Sequence, residues 1–459
     1  MKTARRAFLT RTGATAAGLL IAPYLKPFRL FSAGHTRGGT SLTKVALTRA
    51  DSYERTLVKE RVQHLFDSLD GISDVMHAGQ KVVIKLNLTG GSYWASSPKL
   101  NGKPITEAVW PHPEVVRAVG ELILDCGVSG NSIYLVEALW DDASFNNFGY
   151  RDVQTALGAQ KVDLNKKAPY TAFVQLSVGA GKYFYDSFTV NQILADVDVF
   201  VSIPKMKEHA EAGVTGALKN LVGMVPKDLY TLPSDSGRRG ALHGQGGPSS
   251  THLPRSICDL NLARPVHLAV IDGIKNARGG EGVWNPMFQV AEDHVLIAGK
   301  EPVAADSVAS YLMGHDPEAA TITLPAGGQC DNHLHLLHQR GVGTNQMAEI
   351  QPVGDGADLI TSIEPQPGGS APREYVLDQN YPNPFNPSTT ISYHVPVASE
   401  VRLTVHDTLG REVAVLAEGR KSPGNFEAIF NAAGLASGIY VYRLTAGTFI
   451  QTRKMNLVK

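Results

Sequence analysis

Four short apolar segments, each ending in polar or charged residues, constrain the fold of this 459-residue chain more than any other feature. They span residues 81–87, 133–137, 197–203 and 267–272. Runs of this length without alternation are typical of strands buried on both faces of a parallel sheet. An apolar stripe over residues 113–126, with Pro113 at its start and Gly127 after its end, predicts a helix between them. We therefore expect an α/β core with a mostly parallel sheet over residues 44–350.

The composition changes near residue 373, where short alternating segments and turn residues replace the longer apolar runs. Residues 351–373, which end in a Pro-, Gly- and Ser-rich stretch, are predicted to be a linker. Short strands are then expected at residues 401–405, 411–416, 425–430 and 438–444, separated by turns such as Pro423-Gly424. This spacing predicts a small immunoglobulin-like β-sandwich over residues 374–459.

Several sequence motifs of this tail indicate a more specific role than a general β-sandwich. The segments LDQNYPNPFNPST, LGREV, LASGIYVYRL and TRKMNLVK resemble the C-terminal sorting domain of type IX secretion (T9SS) substrates. The resemblance implies recognition by an outer-membrane secretion machine, followed by release or anchoring at the cell surface. A carbohydrate-binding or spacer sandwich that stays on the protein is the alternative, because the strand-and-turn pattern alone fits either role.

The first 33 residues are basic and contain no acidic side chain. The segment TARRAFL, with the pair Arg5 and Arg6, resembles the twin-arginine (Tat) export motif, and the weakly apolar stretch after it is too short to span a bilayer. We expect residues 1–33 to be a Tat signal peptide read by the Tat translocase. The alternative is a basic amphipathic helix that stays attached. With the tail, this predicts Tat export through the inner membrane and then type IX secretion.

Charge and cysteine content exclude several partners. The formal net charge is zero, and with a basic leader the rest of the chain is mildly acidic, so it lacks the broad basic surface that nucleic acid or an anionic membrane requires. We therefore expect no nucleic-acid partner, and the short apolar stretch near the N-terminus predicts no integral membrane span. The three cysteines, Cys126, Cys258 and Cys330, are too few to ligate a cubane cluster. No iron–sulfur cluster is therefore expected.

Polar residues at the ends of the apolar segments are the candidates for a binding site, because ligands bind outside the carboxyl ends of parallel strands. The segment PKMKEHAEAGVTGALKNLVG, residues 204–223, is the densest in such groups. Together with the end of the segment at residues 81–87, its lysines and amides predict an anion site. The predicted residues are Lys85, Asn87, Lys205, Lys207, Lys219 and Asn220. Exposure of strand ends to solvent would explain why any one of these residues is polar. It explains less well why so many of them are lysines. The glycine-rich residues 279–282 are either a second anion nest or a surface turn.

Acid–base and metal-binding candidates accompany this anion site. His209 and His243 are candidates for proton transfer, and Asp272 for orienting a histidine or binding a metal. Glu137 and Asp306 are further candidate ligands for a divalent metal such as Mg²⁺, Mn²⁺ or Zn²⁺, although their sequence separation does not show that they converge. The His333, His335 and His338 pattern suggests either a metal site or a solvated helix face.

The central region also resembles a known family. The segments VVIKLNL, HPEVVRAVGELIL, VSIPKMKEHAEAGVTGALKNLVGMVP, AVIDGI and EPVAADSVASYLMGHDP resemble, in this order, the domain of unknown function 362 (DUF362) family. The resemblance implies no assigned reaction, and the ferredoxin-like modules of many members are missing here. Two function classes stay open: an enzyme acting on a small anionic substrate, and a non-catalytic secreted or cell-surface binding protein that uses the same lysines.

Overall fold

The computed structural model describes residues 42–95, 105–233, 239–244, 249–361, 375–395, 399–421, 424–447 and 449–458. The predicted Tat segment, with Arg5 and Arg6, lies outside these residues and stays a prediction. Within the described residues, no helix is long and apolar enough to cross a membrane.

Fifteen strands lie in the described part of residues 42–361. They are β1 (Thr43–Arg49), β2 (Val82–Lys85), β3 (Ile133–Glu137), β4 (Gln160–Asp163), β5 (Phe173–Ser177), β6 (Ser187–Asn191), β7 (Val199–Ser202), β8 (Lys205–His209), β9 (Gly213–Thr215), β10 (Leu268–Arg278), β11 (Gln289–Ala291), β12 (Val295–Gly299), β13 (Thr321–Thr323), β14 (Gln329–Asp331) and β15 (Ile350–Val353). Eleven of them form one sheet with the main order β15-β1-β12-β10-β7-β2-β3-β4, while β8 and β11 pair with β10, and β9 with β8.

The sheet is mostly parallel, as predicted. Strands β10, β7, β2, β3 and β4 are parallel neighbours, whereas β12 runs antiparallel to both β10 and β1. The four apolar segments of the sequence become β2, β3, β7 and β10. Strand β15 pairs in parallel with β1, so the sheet includes residues that the sequence assigned to a linker beginning at residue 351.

Helices cover the sheet on both faces. They are α1 (Arg55–Ser68), α2 (Ser92–Ala95), α3 (Ile105–Val109), α4 (Pro113–Asp125), α5 (Ala143–Asn146), α6 (Tyr150–Leu157), α7 (Ile193–Asp196), α8 (Lys227–Tyr230), α9 (Gly240–His243), α10 (Ser249–Ala263), α11 (Pro302–Leu312), α12 (His333–His338) and α13 (Asp358–Thr361), with 3₁₀ turns at Gly130–Ser132, Lys219–Met224 and Met347–Glu349. On β2, Val82 and Ile84 join the apolar cluster beneath α1 and α4, whereas Val83 joins the cluster on the opposite face. Burial on both sides explains why these strands are apolar throughout.

Helix α4 shows how local signals set the element boundaries. The His112 side chain accepts a hydrogen bond from the Glu114 backbone N–H, and Pro113 occupies the first turn. Proline fits there because its missing N–H would have no partner inside the helix. The helix therefore begins and ends within one residue of its predicted bounds.

The tail consists of antiparallel sheets. Its strands are β16 (Val376–Leu377), β17 (Ser388–Val395), β18 (Ser399–His406), β19 (Glu412–Lys421), β20 (Gly424–Asn431), β21 (Gly438–Ala446) and β22 (Phe449–Leu457). One sheet has the order β16-β17-β20 and the other β19-β18-β21-β22. Alternate residues of both sheets, including Ile391, Tyr393, Leu403 and Tyr442, fill one apolar core. This is the sandwich-like arrangement that the sequence predicted.

Candidate functional site

The last residues of β2 and β3 form a buried ion pair. Lys85 Nζ lies 2.9 Å from Glu137 Oε2, and the two side chains are 0% and 6% exposed. Glu137 also accepts hydrogen bonds from the backbone N–H groups of Leu88 and Ala138. Burial lowers the pKa of Lys85, and the charge of Glu137 opposes that shift. The charges of Lys85 and Glu137 therefore compensate each other inside the protein.

Asn220, a predicted anion-binding residue, ties the turn that follows β9 to the sheet. Its Oδ1 accepts hydrogen bonds from Asn87 Nδ2 at 3.2 Å and from Lys85 Nζ at 3.3 Å. Its Nδ2 donates to the Lys85 carbonyl oxygen and to Ser202 Oγ. Asn87 and Asn220 are therefore occupied by internal contacts, although Asn87 Oδ1 is buried without a hydrogen-bond partner.

A second buried ion pair joins β8 and β10. Lys205 Nζ lies 2.6 Å from Asp272 Oδ2, and both side chains are fully buried. The Tyr53 hydroxyl accepts a hydrogen bond from Lys205 Nζ and donates one to Asp272 Oδ1, while the His112 backbone N–H donates to Asp272 Oδ2. The Tyr53 ring stacks on His112 at 4.0 Å between centroids. This network uses the hydrogen-bonding capacity of Lys205 and Asp272, which the sequence had assigned to anion binding and catalysis.

Lys207 lies on the same face of β8 as Lys205 and His209, because alternate residues of a strand share a face. Its Nζ donates to the Val109 carbonyl oxygen at 2.8 Å and approaches Thr89 Oγ1 at 3.5 Å. Burial and the nearby charge of Lys219 lower the pKa of Lys207 well below its ordinary value. Lys207 is thus inaccessible, with a weakened tendency to carry charge.

Lys219 differs from the other predicted lysines. It is half-buried at the start of the Lys219–Met224 turn, and its Nζ makes no hydrogen bond or ion pair with any described residue. Burial lowers its pKa to about 8, while the charges of Glu281 and Glu211 oppose that shift. Of the four lysines predicted to bind an anion, Lys219 is the one whose Nζ has no hydrogen-bond or ion-pair partner in the part of the chain that the structure describes.

Two histidines flank this region in opposite tautomers. His209 Nδ1 accepts hydrogen bonds from the backbone N–H groups of Glu211 and Ala212, so the proton of the neutral ring is on Nε2. His243 Nδ1 lies 3.1 Å from the Arg239 carbonyl oxygen, which can only accept, so its proton is on Nδ1 and its Nε2 keeps a lone pair. Burial lowers the pKa of both histidines, which favours the neutral forms.

Each histidine faces a carboxylate. His209 Nε2 lies 3.8 Å from Glu281 Oε2, and His243 Nε2 lies 3.5 Å from Glu211 Oε2. Glu281 also accepts hydrogen bonds from Trp284 Nε1 and the Ala210 backbone N–H. Burial acts to raise the pKa of Glu281, but His209 and these donors lower it below its ordinary range.

These side chains form one cluster, which we name the Lys219 cluster. It comprises Lys219, His209, His243, Glu211 and Glu281, whose charges act on one another. Sequence reasoning found Lys219 and both histidines but missed the two glutamates. The signal for Glu281 was an acidic residue inside the glycine-rich segment at 279–282.

The metal candidates do not assemble. No group of three or more His, Cys, Asp or Glu side chains in the described ranges is arranged to hold a metal ion. Asp306 accepts backbone hydrogen bonds with both carboxylate oxygens. His333 is fully buried, whereas His335 contacts Gln339 and His338 contacts the Gly343 carbonyl oxygen, so the trio forms neither a ligand set nor a solvated face.

Comparison with known protein families finds a match for the α/β core and another for the C-terminal tail. The chain belongs to the DUF362 family, a domain of unknown function, whose family model matches residues 82–311. Residues 379–458 match the secretion system C-terminal sorting domain. Both predicted resemblances are confirmed, and the tail supports type IX secretion and a location at the cell surface.

Two individual proteins were also matched. A thylakoid-associated protein, sll1697 of Synechocystis, is 26% identical over 281 residues, which cover 60% of this chain and 75% of that protein. A crystal structure of an engineered protein is 12% identical and covers 88% of this chain and 80% of its own, with a TM-score of 0.15. A score this low supports no inference about fold or function.

Proposed function

We propose that the DUF362 core is an enzyme that binds a small anionic substrate at the Lys219 cluster and transfers a proton on it. The observation that carries this proposal is the Lys219 ammonium, which is half-buried and has no partner among the described residues. Burying a charge without a partner costs free energy, and an anionic ligand would remove that cost. The cluster also contains two carboxylates, which would repel a doubly charged anion. A monocarboxylate is therefore the favoured substrate class.

The two histidines have different roles in this proposal. The Nε2 lone pair of His243 would accept a proton from the substrate and later return it, while the Nε2–H of His209 would donate a hydrogen bond to the oxyanion that forms on the substrate. Both rings stay neutral near pH 7 because burial lowers their pKa values. Glu211, 3.5 Å from His243 Nε2, would stabilise the His243 imidazolium as it forms. Capture without turnover is the alternative, and the same observation on the Lys219 ammonium favours it, because binding alone needs only Lys219.

Export of the core by the Tat route, with Arg5 and Arg6 in its signal, belongs to the same proposal. The order of events would be folding in the cytoplasm, Tat translocation, and type IX secretion through the tail. Cell fractionation tests it with an Arg5→Lys, Arg6→Lys variant. Retention of the variant in the cytoplasm supports the route, whereas normal surface delivery contradicts it.

Pyruvate is a suitable probe, because it is a monocarboxylate with exchangeable methyl protons. Trace labelling of lysines with acetic anhydride, followed by peptide mass spectrometry, reports whether pyruvate protects Lys219, and NMR in D₂O reports proton exchange. We expect protection by pyruvate, weaker protection by inorganic phosphate, and loss of pyruvate binding in Lys219→Met. Lys161→Met is the matched control, since Lys161 is also partly buried but already pairs with Asp142 at 2.7 Å.

The histidine variants separate the enzyme from the binding protein. Faster methyl exchange than in buffer, lost in His243→Gln and in His209→Gln while protection persists, supports the enzyme. Protection without exchange in the wild-type protein supports capture alone. If neither pyruvate nor phosphate protects Lys219, the anion site itself is contradicted.

A further inference from the structure

Asp306, in the middle of helix α11, contacts the backbone just before Lys219. Its carboxylate is 1% exposed, with Oδ1 accepting the Ala217 N–H at 2.6 Å and Oδ2 accepting the Leu218 N–H at 2.9 Å. These amides begin the turn that continues as Lys219–Met224. One carboxylate thus caps the backbone from which the Lys219 side chain extends.

Gly216 is matched to this contact. A Cβ at residue 216 would lie 2.2 Å from Asp306 Oδ1 and 2.6 Å from Oδ2. Real Cβ atoms do not approach other atoms so closely, so any side chain at this position would displace either the carboxylate or the backbone. The glycine and the buried carboxylate therefore fit each other, and Gly216 lies within the segment, residues 204–223, that the sequence predicted to bind an anion.

We propose that Asp306 is a positioning residue, which fixes the turn at residues 216–219 and so holds the Lys219 ammonium in the half-buried cluster. The functional meaning of this inference rests on the proposed role of Lys219. Asp306 would act through the two backbone amides and would not touch the substrate.

The electrostatic surroundings of Asp306 make this support sensitive to pH. Burial raises the pKa of Asp306 to about 7, the two backbone N–H groups oppose that shift, and the charge of Glu301, at the N-terminus of the same helix, adds to it. Protonation replaces one acceptor oxygen with a hydroxyl, so one of the two contacts to the turn weakens. Lys219 itself loses its proton near pH 8. The anion affinity should therefore be highest between these two values.

A matched control lies on the same helix. Glu301 is also a largely buried carboxylate that accepts backbone N–H groups, from Val303 at 2.7 Å, Ala304 at 2.9 Å and Thr344 at 3.0 Å. It makes none of these contacts to residues 216–219. A general effect of losing a buried cap on α11 should appear in Glu301→Gln, whereas an effect on Lys219 should appear only in Asp306→Asn.

The test is the pH profile of Lys219 acetylation in the full chain. Its midpoint reports the pKa of the Lys219 amine and requires no ligand. In Asp306→Asn, the amide nitrogen would face a backbone N–H, so the turn relaxes and Lys219 moves toward solvent. We expect the midpoint of the profile to move from about 8 toward the ordinary value of 10.5, and pyruvate affinity to fall about tenfold. Gly216→Ala, which keeps the carboxylate and displaces it, should act in the same direction. Glu301→Gln should leave the midpoint unchanged.

Two results would overturn the inference. One is a wild-type midpoint for Lys219 in both Asp306→Asn and Gly216→Ala, measured on folded protein. The other is an equal shift in Glu301→Gln. If Asp306→Asn does not fold, Gly216→Ala decides. Failure of pyruvate to protect wild-type Lys219 would instead contradict the proposed function, while the labelling midpoints would still decide whether Asp306 positions Lys219.

Discussion

Replacement of Lys205 by Met should destabilise the core strongly, because it leaves Asp272 buried without its counter-ion. Breaking a buried ion pair by removal of one partner costs about 3–5 kcal/mol. Asp272 keeps hydrogen bonds from Tyr53, from the His112 N–H and from the Ile274 N–H, which places the expected loss near the lower end, at about 3 kcal/mol. Methionine is similar in volume to lysine, so a cavity adds little.

The matched control is Lys44→Met. Lys44 Nζ also lies 2.6 Å from a carboxylate, that of Asp70, but the two side chains are 36% and 75% exposed. An exposed pair contributes about 0–1 kcal/mol. The comparison therefore isolates burial at constant distance.

Urea unfolding followed by tryptophan fluorescence measures both variants. The four tryptophans all lie between residues 94 and 284, so the signal reports on the core and not on the sorting domain. A double variant, Lys205→Met with Asp272→Asn, should recover part of the lost stability, because the buried charge is gone. A loss in Lys205→Met no larger than in Lys44→Met would refute the interpretation of Lys205 as a structural residue.

Further predictions concern pH, the tail and secretion. The pKa of Asp306 is raised from 3.8 to about 7, so its contribution to stability is complete below pH 3.8 and is lost as the pH rises through 7. Asp306→Asn should therefore flatten the change in unfolding free energy between pH 3.8 and 7. Tyr442→Phe should cost the tail about 1–2 kcal/mol in thermal unfolding, because its hydroxyl donates to the Asp378 carbonyl oxygen and accepts the Asn380 N–H. Tyr381→Phe, at a residue that is 83% exposed, should cost nothing measurable. Deletion of residues 375–459 should abolish delivery to the cell surface, and unchanged surface delivery would contradict the assignment of the tail.

The fold was predictable where burial on both faces makes a strand apolar throughout. Strands β2, β3 and β7 are of this kind, and every one of their residues is buried. Strand β8 was not predictable as a strand, because its sequence, KMKEH, has no apolar run. Its lysines are buried only because distant groups receive them, such as Asp272 for Lys205 and the Val109 carbonyl oxygen for Lys207.

The candidate site was predicted only in part, because contacts between residues distant in sequence decide which lysines are paired. Lysines near strand ends indicate an anion site only if their charges are free, and the partners of Lys85 and Lys205 lie 52 and 67 residues away in sequence. Local pattern cannot show such pairs. Lys219 begins the Lys219–Met224 turn and has no such distant partner among the described residues. Tyr53 carries no local signal at all, since its role depends on contacts with residues on β8 and β10.

The decisive measurement is the pH profile of Lys219 labelling in the wild-type chain, because substrate binding at the Lys219 cluster requires a lysine amine that a ligand can reach. We expect a midpoint at about 8, against 10.5 for an ordinary lysine, together with protection by pyruvate. A midpoint near 10.5 without protection would contradict it.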